Sequence, residues 1–251
     1  MKYIENLKTN YSKKIHLISY GNNVFNNSKE RIYKEGIESK FFDSISIYSP
    51  DDLSKEFTDN FSEILSLPRI GGYGIWRPYI IKEKLNQIND NDYLIYLDAG
   101  CTINNSAIKR FYEYIELLNN SEYGIISFQL SHTERNYTTK EIFEYLNLNI
   151  NSKEALDNQF LDGILIMKKN SHLINIIDKW LETVYNNPLI FTDYFNNDQN
   201  DYFIDNRHEQ SVLSIIVKLN GSVILNDETY FEKFDKSSDA INYPFWATRL
   251  K

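Results

Sequence analysis

The 251-residue chain predicts an α/β fold, with a mostly parallel central sheet flanked by helices and a Rossmann-like first half. Three observations carry this prediction. Over the first hundred residues, apolar strand-like runs alternate with helical patterns in the order β-α-β-α-α-β, which builds parallel sheets through right-handed crossovers. The run from Tyr93 to Leu97 reads as a buried strand that stops at Asp98, Ala99 and Gly100. Ligands of open α/β sheets bind at such carboxyl-terminal strand edges. Hydrophobic residues make up 42% of the chain, enough for one sizeable core.

The elements follow in order. Lys14 to Tyr20 is a strand stopped by Gly21. Asn23 to Lys40 carries Phe25, Ile32, Tyr33 and Ile37 at roughly helical spacing, and Phe42 to Tyr48 alternates as a second strand. Ser49-Pro50-Asp51-Asp52 starts a helical segment running to about Leu67. A Gly71-Gly72-Tyr73-Gly74 stretch precedes a helix from about Tyr79 to Ile88, and Asn89 to Asp92 turn the chain into the Asp98 strand. Beyond it the pattern predicts helices over 108–118, 139–146, 171–185 and 209–219, and strands over 123–128, 161–167 and 222–225. The polar stretch 196–201 is either a mobile lid or a solvated loop.

Composition removes several function classes. The formal net charge is −8, which argues against a nucleic-acid-binding surface. The single cysteine, Cys101, excludes an internal disulfide framework, and a cytoplasmic location is expected. The polar leader Met1 to Lys8 has no apolar signal core, and no window is long and apolar enough for a membrane span, so any membrane association is expected to be peripheral.

Several residues carry chemistry beside a plainer reading. Asp98 is either a ligand-binding carboxylate or the start of an Asp/Gly turn. Ser19, Tyr20 and Gly21 close the first strand at the edge where ligands enter, or merely turn the chain. Arg77 is a phosphate-gripping guanidinium or an arginine beside a Trp/Pro corner. Asp162-Gly163 is a site step or a turn. His208, Glu209 and Gln210 open a helix whose N-terminus favours anions. The tail Tyr243 to Lys251 mixes aromatics with Arg249 and Lys251, and either folds over a ligand or docks on the body.

Together these residues resemble the GT-A glycosyltransferases, which use nucleotide-diphosphate sugars. The resemblance lies in Trp76-Arg77-Pro78 leading to Tyr96-Leu97-Asp98-Ala99-Gly100, then in Asp162-Gly163-Ile164-Leu165 and in Arg207-His208-Glu209-Gln210-Ser211, and it covers about residues 14–225 in element order. More narrowly, the chain is similar to small bacterial and viral glycosyltransferase-like proteins with a Leu-Asp-Ala-Gly-Cys strand end, and more distantly to glycogenin-like retaining transferases. The resemblance implies one domain over 1–251. Residues 14–100 would form the nucleotide-sugar-binding half, 101–225 the acceptor-side half and 226–251 a C-terminal tail.

It implies transfer of a sugar from a nucleotide-diphosphate donor to a hydroxyl of a glycan or another acceptor, in surface-glycan synthesis, with retention of configuration leaned towards. Glu209, Gln210 and Asp162 would be catalytic. Ser19, Tyr20, Gly21, Arg77, Asp98, Ala99, Gly100, Arg249 and Lys251 would bind the donor. A divalent metal, Mn²⁺ or Mg²⁺, would rest on Asp98 with help from His208. The family places an Asp-x-Asp pair at this strand end, and here Gly100 replaces the second Asp. That departure leaves three alternatives open. A second residue completes a metal site; Arg77 and the tail cations meet the phosphate without metal; or the domain binds a nucleotide-sugar or glycan without catalysis. A nucleotidyltransferase fits less well, because no basic residue follows Gly21 directly.

Overall fold

The computed structural model describes residues 13–234 and 239–251; the polar leader and residues 235–238 of the expected tail lie outside the described residues. Among the described residues nine strands are assigned: β1 (Ile15–Tyr20), β2 (Ser44–Tyr48), β3 (Tyr93–Leu97), β4 (Thr102–Ile103), β5 (Ile125–Thr133), β6 (Asn158–Phe160), β7 (Ile164–Lys168), β8 (Val223–Asn226) and β9 (Phe245–Trp246). The helices are α1 (Asn26–Ser39), α2 (Lys55–Asn60), α3 (Ser62–Leu65), α4 (Trp76–Gln87), α5 (Ile108–Asn119), α6 (Lys140–Tyr145), α7 (Lys153–Leu156), α8 (Ser171–Asn186) and α9 (Glu209–Asn220).

The main sheet has seven strands in the order β2-β1-β3-β7-β5-β6, with β8 also paired to β5. β2, β1 and β3 are parallel, as the alternating pattern predicts. β7 runs antiparallel to both β3 and β5, β8 runs with β5, and β6 runs against it. Five of the seven strands therefore share one direction. The reversal at β7 matters for the site, because Ile164 pairs with Leu97. It brings Asp162 and Gly163, which precede β7, to the edge where Asp98 leaves β3.

Alternation along β3 fixes its place in the centre. Leu94 and Tyr96 enter one apolar layer with Ile80 and Leu85 of α4, Trp180 of α8 and Val212 of α9. Tyr93, Ile95 and Leu97 enter the opposite layer with Ile32 of α1 and Phe111 and Ile115 of α5. A strand buried on both faces reads as a continuous apolar run, as this one does.

The expected boundaries shift in places. α4 begins at Trp76, three residues before the expected start, because Pro78 fits the first helical turn. β5 runs five residues past Phe128, and the strand expected from Leu161 starts at Ile164. β6, β4 and β9 were not expected. β4 and β9 pair antiparallel in a small second sheet, so the tail docks on the body just after Gly100. The stretch 196–201 is anchored: Asn196 and Gln199 donate to the Glu141 carboxylate at 2.8 and 2.9 Å. No helix among the described residues is long and apolar enough to cross a membrane.

Candidate active site

The site begins with an unusual piece of backbone. Ile70, Gly71, Gly72, Tyr73 and Gly74 have φ of 52°, 60°, 95°, 55° and 72°, one turn of left-handed conformation. Glycine adopts it freely, and for a β-branched residue such as Ile70 it is strained. At Gly74 a Cβ would run into the Glu209 carboxylate. The turn hands directly to α4, where Arg77 N–H donates to Gly74 O at 2.9 Å. Trp76 Nε1 donates back to Ile70 O at 3.2 Å, and its ring stacks on Tyr20 at 3.7 Å.

This start of α4 buries Arg77, whose side chain is 2% exposed. Its guanidinium holds three carboxylates from three different elements. Nη2 donates to Asp98 Oδ1 at 2.9 Å, and Nη1 donates to Glu209 Oε1 at 2.8 Å and to Asp162 Oδ2. Tyr96 donates its hydroxyl to Asp98 Oδ1 at 2.6 Å and lies under the guanidinium, 5.0 Å from ring centre to Cζ.

One cation faces three buried or part-buried acids, so the cluster carries surplus negative charge if all are ionised. Burial pushes the Asp162 carboxyl up to about 6, against the pull of Arg77. Burial likewise raises Glu209 well above the ordinary carboxylate range. Glu209 Oε2 meets no donor and Arg77 Nε meets no acceptor among the described residues. An acid that keeps its proton can occupy such a place, and groups this perturbed gather at functional sites.

Two adjoining cavities meet at this cluster. The first, of about 430 Å³, is lined by Tyr20 and Gly21 at the end of β1, by Asp98 to Cys101, and by Arg249 to Lys251. The second, of about 420 Å³, is lined by His132, Arg207, His208, Glu209 and Tyr230. Arg77, Asp98, Asp162, Gln210 and Arg249 border both. Volumes of this size suit small-molecule sites. A wider depression of about 720 Å³ at Asp90, Lys169 and Glu182 lies at the opposite end of β3, away from this chemistry.

The residues singled out in the sequence are brought together with one exception. Ser19 is fully buried, its Oγ meets no partner among the described residues, and it does not line either cavity. Arg77 was expected to meet phosphate, yet both of its terminal nitrogens are engaged by carboxylates. Gln159 and Glu134 lie fully buried. Gln159 accepts from Gln210 Nε2 at 2.6 Å and donates to Glu134 at 2.7 Å, so it positions Gln210 from behind.

Sequence reasoning missed Arg31 and Glu35. Arg31 donates to the carbonyls of Ala99 and Cys101 at 2.8 and 2.7 Å, and Glu35 accepts from Ile103 N–H at 2.8 Å. They hold the loop after Asp98 from α1. Their four-residue spacing puts them on one helix face, a signal visible beforehand. Cys101 is a buried thiol that burial raises well above its ordinary value.

The expected cation pair, Asp98 with His208, does not form a fitting donor set. His208 spends Nε2 on Asp193 Oδ1 at 2.8 Å, and Asp98 Oδ1 is taken by Arg77 and Tyr96. Among the described residues no group of three or more His, Cys, Asp or Glu side chains is placed to hold a metal.

No protein-family model and no curated protein matches the chain. Solved structures similar in fold include a glycosyltransferase involved in glycosylating the major capsid of PBCV-1, at 10% identity and TM-score 0.46 over 93% of both chains. Mouse xyloside xylosyltransferase 1 is similar at 10% identity and TM-score 0.48 over 94% of both. Glycosyltransferase GlyE of Streptococcus pneumoniae is similar at 15% identity and TM-score 0.46, over 87% of this chain but 46% of that one. These are distant likenesses of fold, and they carry no activity across.

Proposed function

We propose that the chain transfers a sugar from a nucleotide-diphosphate donor to a hydroxyl acceptor at the Arg77 cluster. One observation carries the reading: at the carboxyl-terminal edge of β3, a buried guanidinium gathers Asp98 and Asp162, which border both cavities, and Glu209, which borders the second. Donor and acceptor each need a compartment, and the exchanged bond has to lie between them.

The donor occupies the first cavity, against Tyr20, Gly21, Ala99 and Gly100, and the acceptor enters through the second. The bond between the anomeric carbon and the diphosphate oxygen breaks, and that oxygen keeps the electron pair. The acceptor oxygen bonds to the anomeric carbon and gives up its proton. Asp162, with its carboxyl near 6, is mostly ionised at neutral pH and can face developing positive charge or accept that proton. Gln210, held by Gln159, orients the sugar. Arg77 and Glu209 fix the acids and do not meet phosphate. All three acids are tied to one guanidinium and none stands apart as a lone base, which fits substitution with retention.

A thermal-shift screen of nucleotide-sugars tests the reading. A donor at about 100 times its dissociation constant stabilises a protein by about 2.7 kcal/mol. The expected result is a shift with one donor that is reduced in Asp98→Ala. No shift with any donor sinks the proposal. A shift without turnover in the presence of acceptors supports a binding domain instead.

A further inference from the structure

We propose that the C-terminal tail, through Arg249 and Lys251, neutralises the donor diphosphate in place of a divalent cation. This rests on the nucleotide-sugar reading above and adds the group that meets the phosphates. The GT-A resemblance implies a metal held by a second acid two residues after Asp98, where this chain has Gly100. A Cβ on Gly100 would stand 3.2 Å from both Arg249 Cα and Leu250 O. Those are backbone atoms of a tail that is tied down at this point. Leu250 N–H and Thr248 Oγ1 donate to Gly100 O at 3.0 and 2.8 Å, and Ser28 Oγ donates to Leu250 O at 3.1 Å. A side chain at position 100 would press on the docked tail, whose backbone would have to give by a few tenths of an ångström.

The groups first expected to meet the diphosphate are engaged elsewhere. Among the described residues no group of three or more His, Cys, Asp or Glu side chains is placed to hold a metal, and His208 Nε2 is engaged by Asp193. Arg77 is buried and its terminal nitrogens hold three carboxylates. Arg249 and Lys251 both line the first cavity, both are exposed, and neither is in an ion pair among the described residues.

The backbone of Arg249 is left-handed, at φ 56°, a conformation that costs energy for a residue with a Cβ and collects at functional sites. Arg249 lines both cavities, at the junction where the proposed transfer releases the diphosphate. The diphosphate of a nucleotide-sugar carries two negative charges, matched by one guanidinium and one ammonium. The guanidinium also grips two oxygens in a fork.

Calorimetric titration of the full chain with UDP, GDP, ADP, dTDP and inorganic pyrophosphate, in EDTA and then in Mn²⁺, tests this. The expected result is binding of at least one nucleoside diphosphate in EDTA, with a dissociation constant changed by less than about threefold in Mn²⁺. Arg249→Ala/Lys251→Ala should weaken it at least tenfold, about 1.4 kcal/mol. Added salt should weaken the wild type more than the double variant. Both positions are exposed, and an unchanged Tm shows that the variant is folded. Binding that requires Mn²⁺, or a double variant that binds as tightly as the wild type, overturns the tail proposal and leaves the nucleotide-sugar reading standing. No binding of any nucleoside diphosphate in either buffer overturns both.

Discussion

The two ends of α9 each bury a cation with carboxylate, and they are built to opposite ends. Near its last turn Lys218 meets Glu134 at 2.8 Å, one charge against one, with side chains 4% and 0% exposed. Glu134 Oε1 accepts from Thr138 and Gln159 at 2.7 Å, Oε2 also accepts from Ser214, and Lys218 donates further to Glu154 O at 2.9 Å. At the first turn Glu209 joins a cluster of one cation and three acids. That cluster has two atoms without a hydrogen-bond partner among the described residues, a left-handed turn behind it and two cavities in front. His208, which caps the helix there, is itself at φ 56°. Buried charge alone does not mark a site. Mismatched charge, unmet polar atoms and strained backbone together do. The two clusters are also joined, because Gln159 links Glu134 to Gln210. The balanced end braces the unbalanced one.

The largest effect expected from breaking this contrast is on stability. Lys218→Met leaves Glu134 buried without its counter-charge and should cost about 3–5 kcal/mol, whereas Lys218→Met/Glu134→Leu should recover much of that loss. Denaturant unfolding measures both, and a loss under about 1 kcal/mol would show that the balanced pair is not structural. Gly74→Ala adds a Cβ at φ 72° against Glu209 and should cost about 2 kcal/mol. It should also weaken donor binding, because the start of α4 and Arg77 must shift. Equal donor affinity in Gly74→Ala would detach the left-handed turn from the site.

Smaller effects should depend on pH. The Asp162 carboxyl is raised to about 6 from an ordinary 3.8, so the folded state holds its proton more tightly than the unfolded chain does. The resulting stabilisation is full below about pH 4 and is lost as pH rises through about 6. Relative to Asp162→Asn, the wild type should therefore lose on the order of 3 kcal/mol across that window. A constant difference between the two from pH 4 to 7 would contradict the surplus-acid account. Arg77→Met should destabilise less at pH 5 than at pH 8, because the acids it leaves behind can take up protons at the lower pH. The opposite order would mean that the acids are not sharing its charge.

Much of the scaffold was legible beforehand because it rests on local pattern. The alternation of β1, α1, β2 and β3, the acid at the end of β3 and the apolar stripe of α9 are all short-range signals. The convergence of Asp98, Asp162 and Glu209 on Arg77 was not legible. It depends on β7 running antiparallel beside β3, a register that no local pattern encodes. β4 and β9 were missed because two-residue strands leave no periodicity. The meaning of Gly100 was missed because the chain that packs on it comes from about 150 residues further on, at Thr248 to Leu250. Arg77 itself was noticed, but its partners are three long-range carboxylates, so its job of gathering acids could be read only from the fold.

The most direct measurement is nucleotide release from a panel of nucleotide-diphosphate sugars, with and without hydroxyl acceptors, for the wild type and Asp162→Asn. Release from one donor, accelerated by an acceptor and at least about 100-fold slower in a folded Asp162→Asn variant, is the predicted result; removing one group that acts in the transition state costs about this much. Release from no donor, or equal release by the wild type and Asp162→Asn, would contradict the claim that the Arg77 cluster is the site of sugar transfer.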